Sequence, residues 1–296
     1  MIAPNPPTEW SGCCATIGSR IERLRIASDV TDTQLQDIAQ LADLEEAKAR
    51  AGGAAAASLR WESASHTDIG RVRPVNEDAF LDSPEQRLWV VADGIGGQSR
   101  GDYASSKVVA ELRAFPHQHA ALANLQDLET RLQSAHEKCR TAFRQHRPGT
   151  TVAAMLAHGN HCFFLWAGDS RAYRLRNNEL EQLTCDHSLA QEKFSRGELT
   201  EEELATDKSA HVLTRTVGAH KTLSLDMLFT AVEPGDRYLL CSDGLYNPID
   251  AEQLGGQLGQ GSPEAACISL VDLALAGGGP DNITVIVIDA QASESD

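Results

Sequence analysis

The stretch RLWVVADGIGG (87–97) decides how the chain is read. Residues 88–92 are a short apolar run of the kind that makes a buried strand, and the run stops at Asp93-Gly94, followed by Gly96-Gly97. A carboxylate is thereby held at the tip of a rigid element, and the glycines let the backbone turn close to whatever Asp93 holds. Asp-Gly is also ordinary turn chemistry, so this segment decides nothing alone. Its weight comes from repetition along the chain.

Upstream, DIGRVRPVNED (68–78) is polar and interrupted by Pro74, and its Glu77 and Asp78 come just before the apolar Ala79, Phe80 and Leu81. Downstream, an apolar run over 162–166 leads into Ala167-Gly168-Asp169-Ser170-Arg171, and another over 237–241 leads into Ser242-Asp243-Gly244. Pro280-Asp281-Asn282 opens a last strand over 283–288. Asp93, Asp169, Asp243 and Asp281 thus each stand at the edge of an apolar strand, with Glu77 and Asp78 as a further pair. If these strands pair in one or two packed sheets, the edges can meet at one rim. Carboxylates crowded there repel and take up protons unless divalent cations relieve them. All-oxygen donors without His or Cys suit Mg²⁺ or Mn²⁺ rather than Zn²⁺, and their scatter along the chain excludes a contiguous calcium loop. Two cations sharing a carboxylate make hydroxide available near neutral pH, which is the outline of a phosphate-ester hydrolase. Arg73, four residues before Glu77, could grip a phosphate with its planar fork; a surface arginine is the alternative.

Composition narrows the function classes. The 296 residues are 42% hydrophobic and 23% charged, ordinary for a globular chain. Asp plus Glu number 42 against 26 Lys plus Arg, a net charge of −16, which argues against a general nucleic-acid or anionic-membrane binder. The seven cysteines contain no Cys-x-x-Cys pair, so neither a disulfide framework nor a zinc ribbon fits, and buried free thiols in a cytoplasmic setting are expected. No apolar run reaches the length of a membrane span, and MIAPNPPTEW (1–10) lacks the charged and apolar regions of a signal peptide.

The chain divides into an N-terminal extension (1–60) and a main domain (61–296). The extension starts Pro-rich; Thr31 with Gln34 suggests a capping box for a helix to about residue 50, lined by Leu35, Ile38, Leu41 and Leu44, stopped by Gly52-Gly53 and followed by an Ala-rich linker over 54–57. In the main domain, Ala104, Val108, Leu112 and Phe115 form one helical stripe, and Leu122, Leu125, Leu128, Leu132, Ala135 and Cys139 another. Strands are expected over 150–157, 162–166, 172–175, 223–229 and 237–241, with turns at Gly159-Asn160, Asn177-Asn178 and 234–236. Residues 184–220 read as a surface excursion, with 188–217 as a candidate lid. Ser262-Pro263 opens a helix that 277–279 stops.

In order, R-x-x-x-E-D (73–78), V-A-D-G-x-G-G (91–97), G-T-T (149–151), G-D-S-R (168–171), C-S-D-G-L (241–245) and G-P-D-N-I-T (279–284) resemble the metal-dependent protein serine/threonine phosphatases of the PP2C, or PPM, family. The bacterial Stp-like branch is most similar, over about residues 62–290. The resemblance implies an α+β fold, an α-β-β-α four-layer sandwich of two antiparallel sheets flanked by helices, with two Mn²⁺ or Mg²⁺ ions at the rim between the sheets. It implies that Asp93 bridges both ions, that Asp243 and Asp281 complete one site, and that Glu77 with the Gly94 carbonyl serves the other. Asp78 would act through metal-bound water, Asp169 with Asp243 would contribute to a third, weaker site, and Arg73 would take the substrate phosphate. Ser242 and Asn282 would brace the acids, with Thr150 and Thr151 structural.

The implied reaction is hydrolysis of phosphoserine or phosphothreonine on proteins by attack of a metal-bridging hydroxide without a phosphoenzyme. Phosphoprotein substrates, including a Ser/Thr kinase or its targets, would be the partners of a monomeric enzyme. Ile95 stands where eukaryotic relatives carry a histidine that can protonate the leaving oxygen, so water would supply that proton. His187, in Asp186-His187-Ser188, matches a recurrent bacterial stretch and reads as structural. A regulatory pseudophosphatase of the same fold would have lost an acid, and none is missing.

Overall fold

The computed structural model describes residues 24–26, 36, 39–40, 42–43, 59–96, 100–143, 147–204 and 206–292. Its strands are β1 (Leu24–Ile26), β2 (Leu59–Asp68), β3 (Asp78–Ser83), β4 (Leu88–Ile95), β5 (Gly149–Thr150), β6 (Val152–His158), β7 (His161–Ala167), β8 (Arg171–Arg176), β9 (Glu179–Gln182), β10 (Asp226–Ala231), β11 (Arg237–Cys241) and β12 (Ile283–Ala292). One sheet runs β1-β10-β7-β6-β4-β3 with β5 beside β4, the other β2-β12-β11-β8-β9. Every pairing is antiparallel. The main helices are α1 (Gly101–Leu112), α2 (Ala121–Ala142), α3 (Leu189–Ser195), α4 (Glu201–Leu204), α5 (Asp243–Tyr246), α6 (Ala251–Leu258) and α7 (Pro263–Ala276).

Period-two alternation sorts the strand residues into three layers of core. Leu88, Val90 and Ala92 of β4 pack with Val108, Leu112, Leu125, Leu128 and Leu132 of α1 and α2. Trp89 and Val91, from the same strand, meet Tyr238, Leu240, Ile286 and Ile288 of the other sheet. On that sheet's far face, Leu239, Val285 and Val287 pack against Leu254, Leu258, Leu270 and Val271 of α6 and α7. The expected four-layer sandwich is therefore present. Alternation also carries Asp93, two residues beyond Val91, onto the face between the sheets.

Local expectations shift where long-range pairing decides a boundary. β4 does not stop at Ala92; it continues through Asp93 and Gly94 to Ile95 because β5 ladders onto it, Gly94 opposite Thr150 and Ile95 opposite Gly149. The strand expected over 223–229 lies at Asp226–Ala231. Leu223 and Leu225 pack against the helix-side core, but β7 pairs with β10 only from Asp226, opposite Trp166. β12 runs past residue 288 to Ala292, since β2 supplies partners as far as Leu59. Helix α6, absent from the sequence reading, opens with a capping box between Asp250 and Gln253.

Within the extension, β1 adds an outer strand to β10, with Ile26 opposite Met227. Gln36, Ala39, Gln40, Ala42 and Asp43 are helical, and Ala39 and Ala42 join the helix-side core. The Asp43 carboxylate accepts from the Ala121 backbone N–H at 3.2 Å and lies 3.2 Å from His158 Nε2. The expected Thr31–Gln34 box, the stripe Leu35, Ile38, Leu41 and Leu44, and the linker lie outside the described residues. Among those described, no helix is long and apolar enough to cross a membrane, and Cys139, Cys162, Cys185, Cys241 and Cys267 are buried free thiols.

Candidate metal centre

Antiparallel pairing puts the start of β3 beside the end of β4, so Asp78 and Asp93 are directly opposite. The other sheet delivers Asp243 after β11 and Asp281 before β12, while Asp169 lies in the crossover from β7 to β8. All five aspartates thus reach the same end of the sandwich, at the seam between the sheets. Glu77 comes with them: its N–H donates to Asn282 Oδ1 at 2.8 Å, and its carbonyl accepts from Gly94 N–H at 3.2 Å and the Ser105 hydroxyl at 2.6 Å.

Glycine is required at one contact here. A Cβ on Gly94 would lie 2.3 Å from the Gly101 carbonyl oxygen, and one on Gly101 would lie 2.6 Å from the Gly94 carbonyl oxygen and 2.9 Å from the Glu77 carboxyl carbon. Neither position has room for a side chain. The first turn of α1 therefore presses directly on the Asp93-Gly94 backbone beside Glu77.

Apart from Asp281, the acids are held by neutral donors. Asp78 Oδ2 accepts from Ser242 Oγ and Thr284 Oγ1, both at 2.7 Å. The Asp93 N–H donates to Thr151 Oγ1 at 2.9 Å, and the Asp93 carbonyl accepts from Thr151 N–H at 2.8 Å and Thr150 Oγ1 at 2.9 Å. Asp243 Oδ2 accepts from Asn247 Nδ2 at 3.1 Å, and Asp281 Oδ1 from the Asn282 N–H at 2.9 Å. Arg73 Nη2 donates to Asp281 Oδ2 at 2.6 Å, with its side chain 52% exposed. Among the described residues, no lysine or arginine salt bridge reaches Asp78, Asp93, Asp169 or Asp243.

The electrostatics follow. Burial, then the charges of Asp78, Asp243, Asp169 and Asp281, pushes the Asp93 carboxyl well above the ordinary range. Burial and Asp243 do the same to Asp169, and burial and Asp281 raise Asp243. Asp78 is raised to about 7 by burial, with the Thr284 and Ser242 hydrogen bonds pulling the other way. Asp78 Oδ1 and Asp243 Oδ1 are buried without a hydrogen-bond partner. A buried carboxylate oxygen without a donor costs free energy unless it is protonated or meets a cation.

The donor set therefore fits hard divalent cations: carboxylate oxygens from both sheets, mutual repulsion, and two unpartnered oxygens. Among the described residues, no three His, Cys, Asp or Glu side chains form a group ready to hold a metal ion. Asp281 instead meets Arg73, Asp243 meets Asn247, and Asp78 meets Ser242 and Thr284.

Thr284, Asn247 and Gly101 were not singled out from the sequence. The strand alternation that puts Ile286 and Ile288 on the seam also puts Thr284 there, so a parity count along β12 would have found it. Arg171 of G-D-S-R forks onto Asp186, with Nε to Oδ1 at 2.9 Å and Nη2 to Oδ2 at 2.7 Å, and its guanidinium lies 3.6 Å over the Tyr246 ring. The Tyr246 hydroxyl in turn donates to the Asp169 carbonyl at 2.8 Å.

A family model described as protein phosphatase 2C matches residues 65–261. The serine/threonine protein phosphatase PstP of Mycobacterium tuberculosis is 34% identical over 230 residues, 76% of this chain; the chain spans 44% of that relative's length. Among solved structures, PppA, a key regulatory component of T6SS in Pseudomonas aeruginosa, is 42% identical with a TM-score of 0.72, covering 79% of this chain and 99% of its own. The catalytic domain of PstP in complex with 2 manganese ions is 34% identical with a TM-score of 0.70, covering 79% of this chain and 100% of its own. The sandwich, the acid-lined seam and these similarities converge, and the chain belongs to the protein phosphatase 2C family.

Proposed function

We propose that this chain is a protein serine/threonine phosphatase that hydrolyses phosphoserine and phosphothreonine on proteins with two Mn²⁺ or Mg²⁺ ions at the rim. The observation that carries the reading is the crowding of Asp78, Asp93, Asp169 and Asp243, buried or half-buried at one seam and raising one another's pKa, with no salt-bridging lysine or arginine among the described residues. Asp93 would be shared between the two ions, Asp243 and Asp281 would complete one site, and Glu77 with the Gly94 carbonyl the other. Asp169 with Asp243 would form a third, weaker site. Such ions, when bound, lower the pKa of water so that hydroxide is available near neutral pH.

The chain's own groups supply the rest. Asp78, braced by Ser242 and Thr284, orients water through its unpartnered oxygen. Arg73, on Asp281 through one nitrogen, has further donors to grip the substrate phosphate. Ile95 offers no proton, so the leaving serine or threonine oxygen takes one from water. We place the catalytic unit at 61–296, in a monomeric, cytoplasmic enzyme that opposes a Ser/Thr kinase. The 42% identity to PppA supports a role in regulating T6SS.

The test is turnover of a phosphoserine peptide by the full chain. Release of phosphate that requires Mn²⁺ or Mg²⁺ and stops with chelator is expected. Equal turnover with and without chelator would remove the metal mechanism, and none under either condition would remove the enzyme.

A further inference from the structure

His187 does more than fill the core. The His187 N–H donates to the Gly168 carbonyl at 2.9 Å, and the Gly168 N–H donates back to the ring Nδ1 at 3.2 Å. Both polar groups of Gly168 are thereby held by one residue. Gly168 needs that support: its φ of +110° suits glycine, and a Cβ there would lie 2.6 Å from the Thr151 methyl. The next residue is Asp169, and Ser170 Oγ lies 2.6 Å from Thr151 Oγ1, the atom that accepts from the Asp93 N–H. The turn His187 clamps is thus continuous with the bracing of Asp93.

On its other side His187 holds the excursion over 188–217. Its carbonyl accepts from Thr214 N–H at 2.8 Å, Ser188 bridges to Leu213, and Leu189 N–H donates to the Val212 carbonyl at 2.8 Å. The ring is buried, stacked on Trp166 with centroids 6.0 Å apart and planes within 10°. Because Nδ1 accepts a hydrogen bond, a neutral ring carries its proton on Nε2, which is 3.3 Å from Asp226 Oδ2 but makes no hydrogen bond there. Asp226 Oδ1 also takes Arg215 Nη1 at 2.5 Å, from the end of the excursion.

We propose that His187 is a positioning residue for the phosphatase reaction. It joins the Gly168-Asp169 turn at the rim, through its ring and N–H, to the excursion over 188–217, through its carbonyl, so the placement of Asp169 and of that excursion are coupled through one residue. The inference rests on the phosphatase reading for its catalytic consequence, but its geometry is tested separately.

In the unaltered full chain, the ¹⁵N spectrum of His187 should show an unprotonated Nδ1 coupled across a hydrogen bond to the Gly168 amide; a protonated Nδ1 overturns the proposal. His187→Asn places an acceptor oxygen near the position of Nδ1, whereas His187→Gln places its amide near Nε2. His187→Gln should speed hydrogen exchange at the Gly168 amide and raise the Mn²⁺ concentration for half-maximal phosphopeptide turnover by about 10–100-fold. His187→Asn should stay within about threefold of the parent, since the acceptor that matters is kept. Equal Gly168 exchange and equal Mn²⁺ requirement in the two variants would leave His187 as packing alone. If even the parent turns over no phosphopeptide, the phosphatase reading fails, while the spectrum and the exchange rates still decide the joint.

Discussion

The two ends of the sandwich treat buried carboxylates in opposite ways. At the end away from the rim, Asp236 has no exposed side-chain surface, yet both its oxygens are taken: Arg176 Nε and Nη2 donate at 2.6 Å each, and the Glu233 N–H and Tyr238 hydroxyl at 2.9 Å each. Asp289 is gripped in the same fork by Arg237 at 2.6 and 2.7 Å. At the rim, Asp169 is buried and Asp78, Asp93 and Asp243 are half-buried, and among the described residues they have one another instead of an arginine fork. A buried acid that the protein neutralises serves the fold. A cluster of them left without compensation marks where an external cation belongs.

The sharpest way to break this comparison is to remove one acid from each end. Asp243→Asn should lower metal-dependent turnover by about 10²–10⁴-fold, because several kcal/mol of charge stabilisation is lost, while leaving stability in chelator unchanged or raised as a like charge disappears. Asp236→Asn should do the reverse, costing about 1–3 kcal/mol of stability because Arg176 keeps only Glu233 and the Ala231 carbonyl as partners, with turnover per folded molecule retained. Urea unfolding in chelator beside phosphopeptide kinetics checks both. If the two variants behave alike, the distinction between the ends fails.

A pH series sharpens the same point. The Asp78 carboxyl is raised from an ordinary 3.8 to about 7 by burial, so between those values the folded chain holds a proton that the unfolded chain has released. Its contribution to stability is full below pH 4, is lost as pH rises towards 7, and stays lost above. Thermal midpoints in chelator should show that decline, Asp78→Asn should flatten it, and saturating Mn²⁺, which favours the ionised form, should oppose it. A midpoint in chelator that climbs from pH 4 to 7 in the parent and the variant alike would contradict the assignment.

The smallest effect belongs to an acid of intermediate kind. Asp43, its side chain 40% exposed, serves α2 from outside, because Ala120 at the start of that helix provides no side-chain cap. Asp43→Ala should cost about 1 kcal/mol, typical of a lost N-cap, and leave turnover unchanged. Faster amide exchange at Ala121 would accompany it. No change in either stability or exchange would mean that the extension is not fastened there.

Much of this was legible locally. The apolar run over 237–241 is β11 to the residue, and the Leu stripe of 122–132 faces the core as its spacing requires. The turn at Asn177-Asn178 shows both residues at positive φ, 53° and 63°, as asparagines tolerate. Strand limits were less legible because a strand ends where its neighbour stops pairing. The extension β4 makes through Asp93 to Ile95 depends on residues 149–150, and the start of β10 depends on the end of β7.

By itself, the amino-acid order determined the family, the alternation that stacks three cores, and the acids available for chemistry, since short spacings and residue types carry these. Tertiary structure alone decided which acids are compensated. Thr284 reaches Asp78 across 206 positions and Arg73 reaches Asp281 across 208, while Asp236 meets Arg176 across 60. Aspartate looks the same at each of these positions in the chain; burial and the charge of its distant neighbours set its role, and those exist only once the two sheets have closed on each other.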